Sequence, residues 1–287
     1  MLLIAKGILA NPVELSEVEF ADMNAWNKRG PANQSNWTVL TGGRTVKQTV
    51  NGQPSFFVTT KDYINVTIMG TIEVDTNNDD DMIGVVVGYQ NPNSAPATNT
   101  ALDYEMVLFD WKQASQSFSG VTSFEGITLG YLNGNMNTDN DDKDYFWIHE
   151  NQTTVPTTGS FNLLLSDYTY AGWKDKTQYS FRIIHTTNAV RVRINNQLVI
   201  DQTVTAAGGK VGFYNNSQEN VIYGNVRLAP SSDTPSPPVA SADSYGTSTN
   251  TTLSKNRLEG IVANDYDPNL DLFRINIVSS GNFTGSF

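Results

Sequence analysis

Hydrophobic and polar residues alternate with a period of two along much of this chain. Residues 43–50 and 63–74 keep that alternation over their length, which predicts half-buried strands. Asn51-Gly52 follows the first of these, and such a pair predicts a hairpin that returns through residues 55–60. Met82-Ile83-Gly84-Val85-Val86-Val87-Gly88 is nearly continuous apolar sequence and predicts a central strand covered on both faces. Residues 104–111, 126–132, 161–165, 179–185, 189–194, 197–200, 209–214 and 220–228 predict further strands, with a tight turn at Asn195-Asn196. Residues 20–26, 36–40 and 145–149 also read as strands. Many strands, short polar turns and almost no helical periodicity predict an all-β sandwich.

Composition changes this picture at the ends. Residues 230–238 are Ser/Pro-rich and read as a linker. They separate a main domain, residues 20–229, from a second unit over residues 239–287. That unit carries about half the strands a small sandwich requires, so the chain is expected to end inside a domain. Residues 1–19 form a leading segment. Residues 1–10 are apolar but interrupted by Lys6, too short to span a membrane and without a basic start, so no membrane insertion is expected.

The formal net charge is −11 with no long Lys/Arg run, which argues against nucleic acid and anionic membrane as partners. The chain has no cysteine, which fits a cytosolic protein or a bacterial surface protein stabilised by calcium.

The acidic residues are clustered. Asp75, Asn77, Asp79, Asp80 and Asp81 stand within seven positions, where like charges repel unless solvated or matched by a cation. Oxygen donors on a loop suit a hard ion such as Ca2+; a solvated loop tip is the competing reading. Asp139, Asn140, Asp141, Asp142 and Asp144 form a second such loop. It leads into Tyr145, Trp147 and His149, which strand alternation would place on one face, opposite Phe146 and Ile148. Rings beside carboxylates and a metal suit sugars, while core packing of Trp147 is the plainer alternative. Tyr168 and Tyr170, on a polar loop, and Tyr89 and Gln90, after the central strand, are further contact candidates. Trp111-Lys112-Gln113 and Trp173-Lys174-Asp175 read as structural. A hydrolytic triad would need His149 or His185, and neither lies in a recognisable motif.

Five segments in order share one pattern. They are residues 43–51; residues 79–90, with Asp79-Asp80-Asp81 and Gly88-Tyr89-Gln90; Trp111-Lys112-Gln113; residues 172–176; and residues 208–213 with Ser217-Gln218-Glu219-Asn220. Together they resemble the thrombospondin C-terminal domain, over roughly residues 20–228. The resemblance implies a jelly-roll sandwich of the concanavalin or L-type lectin kind, calcium in its loops, and cell-surface attachment. Residues 91–102 look like an insertion, and the family's cysteines are missing. The second unit resembles the start of a cadherin- or immunoglobulin-like repeat of bacterial adhesins. Its turn with Asn264, Asp265, Asp267, Asn269 and Asp271 is expected to bind calcium at a repeat junction.

The expected function is a calcium-dependent carbohydrate-binding module of a secreted bacterial surface adhesin, with cell-surface glycans as partners. A protein- or peptide-binding module for host surface proteins, with structural calcium only, is the alternative. A sandwich-fold glycoside hydrolase or lyase is the third reading.

Overall fold

The computed structural model describes residues 12–30, 33–40, 42–90, 102–118, 120–136, 146–147, 159–231 and 237–255, and residues 260, 264, 265 and 267; at 102–104, 133–136 and 159–160 only the backbone is described. The chain divides into two compact units, Met1–Ser231 and Ser232–Phe287.

The first unit is a jelly-roll β-sandwich of two antiparallel sheets. Its strands are β1 (Glu19–Phe20), β2 (Asn27–Arg29), β3 (Trp37–Val39), β4 (Thr45–Gln48), β5 (Ser55–Val58), β6 (Val66–Val74), β7 (Met82–Gln90) and β8 (Leu102–Lys112). Then come β9 (Gln116–Phe118), β10 (Val121–Ser123), β11 (Gly126–Met136), β12 (Gly159–Asp167), β13 (Tyr179–His185), β14 (Ala189–Ile194), β15 (Gln197–Thr203), β16 (Lys210–Asn216) and β17 (Val221–Pro230). The first sheet runs β15-β14-β13-β6-β17-β4-β3, with β1 also on β17; the second runs β12-β11-β8-β7-β16-β5-β2. Strands β9 and β10 form a separate hairpin.

The main core lies between the sheets. Phe57 and Phe213 of the second sheet meet Trp37, Phe181 and Tyr223 of the first. The Phe213 and Tyr223 rings stack with centroids 4.2 Å apart. The Tyr223 hydroxyl crosses between the sheets, accepting from the Gly84 amide at 3.3 Å and donating to the Tyr214 carbonyl at 2.7 Å. A side chain at Gly84 would collide with the Phe109 carbonyl, 2.0 Å from where its Cβ would stand.

A second, smaller core covers the other face of the second sheet, with Phe56, Met82, Val86, Leu108, Phe146 and Tyr214. So β7 is buried on both sides, as its apolar run predicts. Ile83, Val85 and Val87 enter the main core, and Met82 and Val86 the smaller one. A bulge after Val87, where Gly88 has φ 64°, shifts the parity and turns Tyr89 into the smaller core.

Three expected elements differ. Residues 20–26 are not one strand: Asp22 caps a 3-10 turn, Met23–Ala25, by accepting the Asn24 amide at 3.0 Å. Residues 43–60 are not a hairpin, because β4 and β5 belong to different sheets. The chain crosses at Asn51-Gly52, where the Gln48 side chain bonds both the amide and the carbonyl of Val50 and the Gly52 carbonyl accepts from the Ser217 amide at 2.7 Å. Phe146 and Trp147 share the smaller core, so they do not take opposite faces of a strand. Asn195 and Asn196 do form the tight turn, with φ 48° and 66°.

In the second unit the Asp265 carboxylate accepts the Ser241 amide at 2.7 Å and Asp267 is buried. No helix among the described residues is long and apolar enough to cross a membrane.

His185 ends β13 inside the main sandwich, beneath Gly88. It is fully buried, and neither ring nitrogen has a hydrogen-bond partner. Burial therefore lowers its pKa from 6.5 to about 4. The neutral ring's contribution to stability is complete above pH 6.5 and is lost as pH falls towards 4. Replacing His185→Leu should flatten that loss, measured as urea midpoints between pH 4 and 7. Phe213→Ala should cost about 3–5 kcal/mol in the same assay at neutral pH.

Candidate functional site

Strand β6 ends at Val74, and two turns hold the loop that follows. The Asp75 amide donates to the Asn220 carbonyl at 2.9 Å, and the Lys176 amide donates to the Val74 carbonyl at 2.8 Å. The Thr76 hydroxyl accepts the Asn78 amide at 3.2 Å and folds the loop back. As a result Asp79, Asp80 and Asp81 converge, with one oxygen of each within 4.8 Å of the others.

Asp81 is the fixed member. Its amide donates to Gln218 Oε1 at 3.0 Å, and its carbonyl accepts Trp173 Nε1 at 3.1 Å. Its carboxylate accepts Lys112 Nζ at 2.8 Å. Lys112 ends β8 opposite Met82 and is fully buried. The same ammonium reaches the Asp80 carbonyl at 3.3 Å and Gln116 Oε1 at 3.0 Å, and stands 4.7 Å from the centre of the Trp147 ring. Trp173 and Lys112, read as structural, thus hold the site together.

Asp79 accepts the Asn51 side-chain amide, and Asn51 in turn accepts the Ser217 hydroxyl at 3.1 Å. Burial, then the charge and hydrogen bond of Asp81, push the Asp79 carboxyl up to about 7. Burial also raises Asp80, Lys112 pulls it down, and the charges of Asp81 and Asp175 add to the rise. One Asp80 carboxylate oxygen has no hydrogen-bond partner. Three carboxylates thus face one ammonium. The donors are all oxygen and the charge balance is negative, so the cluster fits a hard divalent cation such as calcium.

The other expected ligands of this loop do not join. Asp75 turns to Lys47, 3.2 Å away, and Asn77 is exposed. Asp175, which the sequence did not single out as a ligand, lies close enough to Asp80 to repel it. It is held there by Gln113, whose side-chain amide donates to it at 3.2 Å. The second acidic loop, with Asp139, Asn140, Asp141, Asp142 and Asp144, lies outside the described residues, as do Tyr145, His149, Asn269 and Asp271.

The expected contact residues separate by exposure. Tyr89 is fully buried against Phe56 and has no surface for a ligand. Gln90 is committed to the Gly208 carbonyl at 2.8 Å. Trp147 is 7% exposed and donates to the Val121 carbonyl at 3.2 Å. Tyr170 packs on Trp111 with centroids 5.9 Å apart. Tyr168 is exposed and packs on Phe124 at 5.3 Å. Phe118, which the sequence reading passed over, is 54% exposed, and its ring meets Trp147 edge-on at 5.6 Å. A lone Phe among Gln and Ser carries no periodic signal.

Lys112→Met should leave Asp81 buried without its counter-charge and cost about 3–5 kcal/mol, read from urea unfolding in chelator. Asp79 should add stability fully below pH 3.8 and lose it as pH rises to about 7. The stability of wild type relative to Asp79→Asn should follow that course in chelator, and calcium should offset the loss at neutral pH.

Residues 32–231 match the model of the thrombospondin C-terminal region. Thrombospondin-3b of Danio rerio is 30% identical over 232 residues, 74% of this chain and 23% of its own length. Cartilage oligomeric matrix protein of Bos taurus is 30% identical over 233 residues, 75% of this chain and 29% of its own length. The chain therefore spans about a quarter of the curated relatives it matches. Among solved structures, the exoplasmic/lumenal domain of VIP36, in a Ca2+/Man3GlcNAc-bound form, aligns at TM-score 0.46 and 11% identity, over 77% of this chain and 91% of that one. On the match over residues 32–231, this chain belongs to the thrombospondin C-terminal family.

Proposed function

We propose that the sandwich is a calcium-dependent glycan-binding module of a secreted surface adhesin, of bacterial type. The observation that carries this is the sharing of one ammonium. Lys112 contacts both Asp81 and the Trp147 ring, and Trp147 packs against the exposed Phe118. A cation-holding loop and an exposed aromatic surface are thereby joined through two side chains.

Asp79, Asp80 and Asp81 would hold the ion, with Asp175 adding negative charge beside them. Bound calcium would neutralise the carboxylates and offer coordination to sugar hydroxyls. Phe118 offers a flat apolar face of the kind that stacks on a pyranose ring, and Lys112 orients the Trp147 support beneath it. A binding role fits better than hydrolysis. The clustered carboxylates sit on one loop, and His185 lies sealed in the core.

The test is a glycan array probed with the whole chain in calcium and again in excess chelator. Selective signal should appear in calcium and vanish in chelator while circular dichroism still reports strand. Asp80→Asn should weaken calcium affinity at least tenfold by calorimetry. Phe118→Ala should reduce glycan signal several-fold without changing calcium affinity. A folded, calcium-loaded sample that gives no glycan signal but captures host surface proteins would replace this reading with the protein-binding one.

A further inference from the structure

Asn51 stands where the chain crosses from β4 to β5, strands of different sheets. The residue is exposed, and its side chain is held at both ends. The amide nitrogen donates to the Asp79 carboxylate, and the amide oxygen accepts the Ser217 hydroxyl at 3.1 Å. The next residue is Gly52, whose carbonyl accepts the Ser217 amide at 2.7 Å. Ser217 therefore holds both members of the Asn-Gly pair.

The surroundings of Gly52 fix its identity. A Cβ there would stand 2.3 Å from the Gln34 carbonyl oxygen, so a side chain would collide with backbone. The missing side chain also leaves the Gly52 amide nitrogen unhindered beside Asn51. Among the described residues nothing accepts a hydrogen bond from that amide. The pair lies between the end of β4 at Gln48 and the start of β5 at Ser55, so no ladder bond restrains it. A free backbone amide next to a side-chain amide can close on it to form a cyclic imide.

The sequence contains a second Asn-Gly pair, Asn133-Gly134, in the opposite situation. It lies within β11, between β8 and β12. Asn133 stands opposite Glu105 on one side and Ser160 on the other, and Gly134 stands opposite Tyr104 and Gly159. Two antiparallel ladders hold that backbone extended and occupy its amides. Ring closure there would break the sheet, whereas at Asn51 it breaks no strand pairing. The same dipeptide thus occurs once restrained and once free.

We propose that Asn51 is a site of spontaneous deamidation, a modification that adds a carboxylate to the acidic loop. The Gly52 amide nitrogen attacks the Asn51 side-chain carbonyl carbon. A nitrogen–carbon bond forms, the bond to the side-chain nitrogen breaks, and that nitrogen leaves as ammonia. The proton released by the Gly52 amide reaches the leaving group through solvent. Water then opens the ring at either carbonyl and leaves aspartate or isoaspartate at position 51. Water is consumed, ammonia is released, and no redox change occurs. The Ser217 hydroxyl already donates to the oxygen on which negative charge develops, which favours the attack. In the product Asp79 loses its amide donor and faces a new carboxylate, so like charges repel. Isoaspartate also lengthens the backbone by a methylene where Ser217 holds the crossing. Both products should loosen the loop in the absence of a cation.

The experiment incubates the whole chain in chelator at neutral pH for weeks and follows it by peptide mapping with mass spectrometry. Chromatography separates the aspartyl and isoaspartyl peptides, which have equal mass. The Asn51 peptide should convert several-fold faster than the Asn133 peptide in the folded chain, and the two rates should converge in urea. Ser217→Ala should slow conversion of Asn51 several-fold in the folded chain and leave the rate in urea unchanged. Ser217 has φ 57°, so Ser217→Gly removes the same hydroxyl without backbone strain should the alanine variant fail to fold. Asn51→Gln should abolish the conversion at this position. Freshly prepared Asn51→Asp should show a lower urea midpoint in chelator than fresh wild type. No conversion of Asn51 in the folded chain, equal conversion of the two pairs, or a folded-state rate unaffected by loss of the Ser217 hydroxyl would each overturn the assignment. An unchanged midpoint for Asn51→Asp would overturn the stated effect on the loop. These readouts involve neither calcium nor glycan, so a failed glycan array leaves the assignment standing.

Discussion

The site depends on one buried ion pair. Lys112 has its whole side chain inside the protein, and Asp81 lies 2.8 Å from it with almost no exposure. Desolvating two such charges is expensive, and their attraction offsets the cost only with good geometry and further hydrogen bonds. Here the bonds are present. Gln116, the Asp80 carbonyl and the Trp147 ring complete the surroundings of the ammonium, and Gln218 and Trp173 fix the backbone of Asp81. One pair thus connects the acidic loop, the end of β8, the β9–β10 hairpin and the segment that seals the smaller core.

The pair also sets the charge at the edge of the sandwich. One ammonium cannot neutralise three carboxylates, and the excess appears in the raised pKa of Asp79 and in the bare oxygen of Asp80. The opposite imbalance occurs on the outer face of the first sheet, where Arg44 and Arg227 share the Phe20 ring. The sandwich therefore separates its unbalanced charges. The negative excess sits on a loop, and the two arginines sit on a sheet face.

The double burial of the second sheet explains why the smaller core constrains the site. Phe56, Phe146 and Tyr214 pack together on the face opposite the main core. Trp147, adjacent to Phe146, is held between that core and the Lys112 ammonium. Its ring therefore serves as support for Phe118 rather than as an exposed platform.

Period-two alternation and the apolar run of β7 were enough to determine that this chain is a sandwich with a two-sided central strand. Those signals arise from burial along a single strand, which a linear sequence records. The crowding of Asp79, Asp80 and Asp81 was equally legible, because repulsion between neighbours in sequence persists after folding. Only the tertiary structure decided which acids converge. Lys47 removes Asp75 from the set, and the turn after Trp173 brings Asp175 beside Asp80. It also decided that Asn51-Gly52 crosses between sheets, because the Gln48 and Ser217 bonds that hold it come from outside the turn. A bulge at Gly88, invisible to a strict alternation, buried Tyr89, while Arg44 and Phe20, 24 positions apart, met only because β1 and β4 dock end to end on β17. Local periodicity encodes which face of a strand is buried; which strands become neighbours is encoded in contacts distant along the chain.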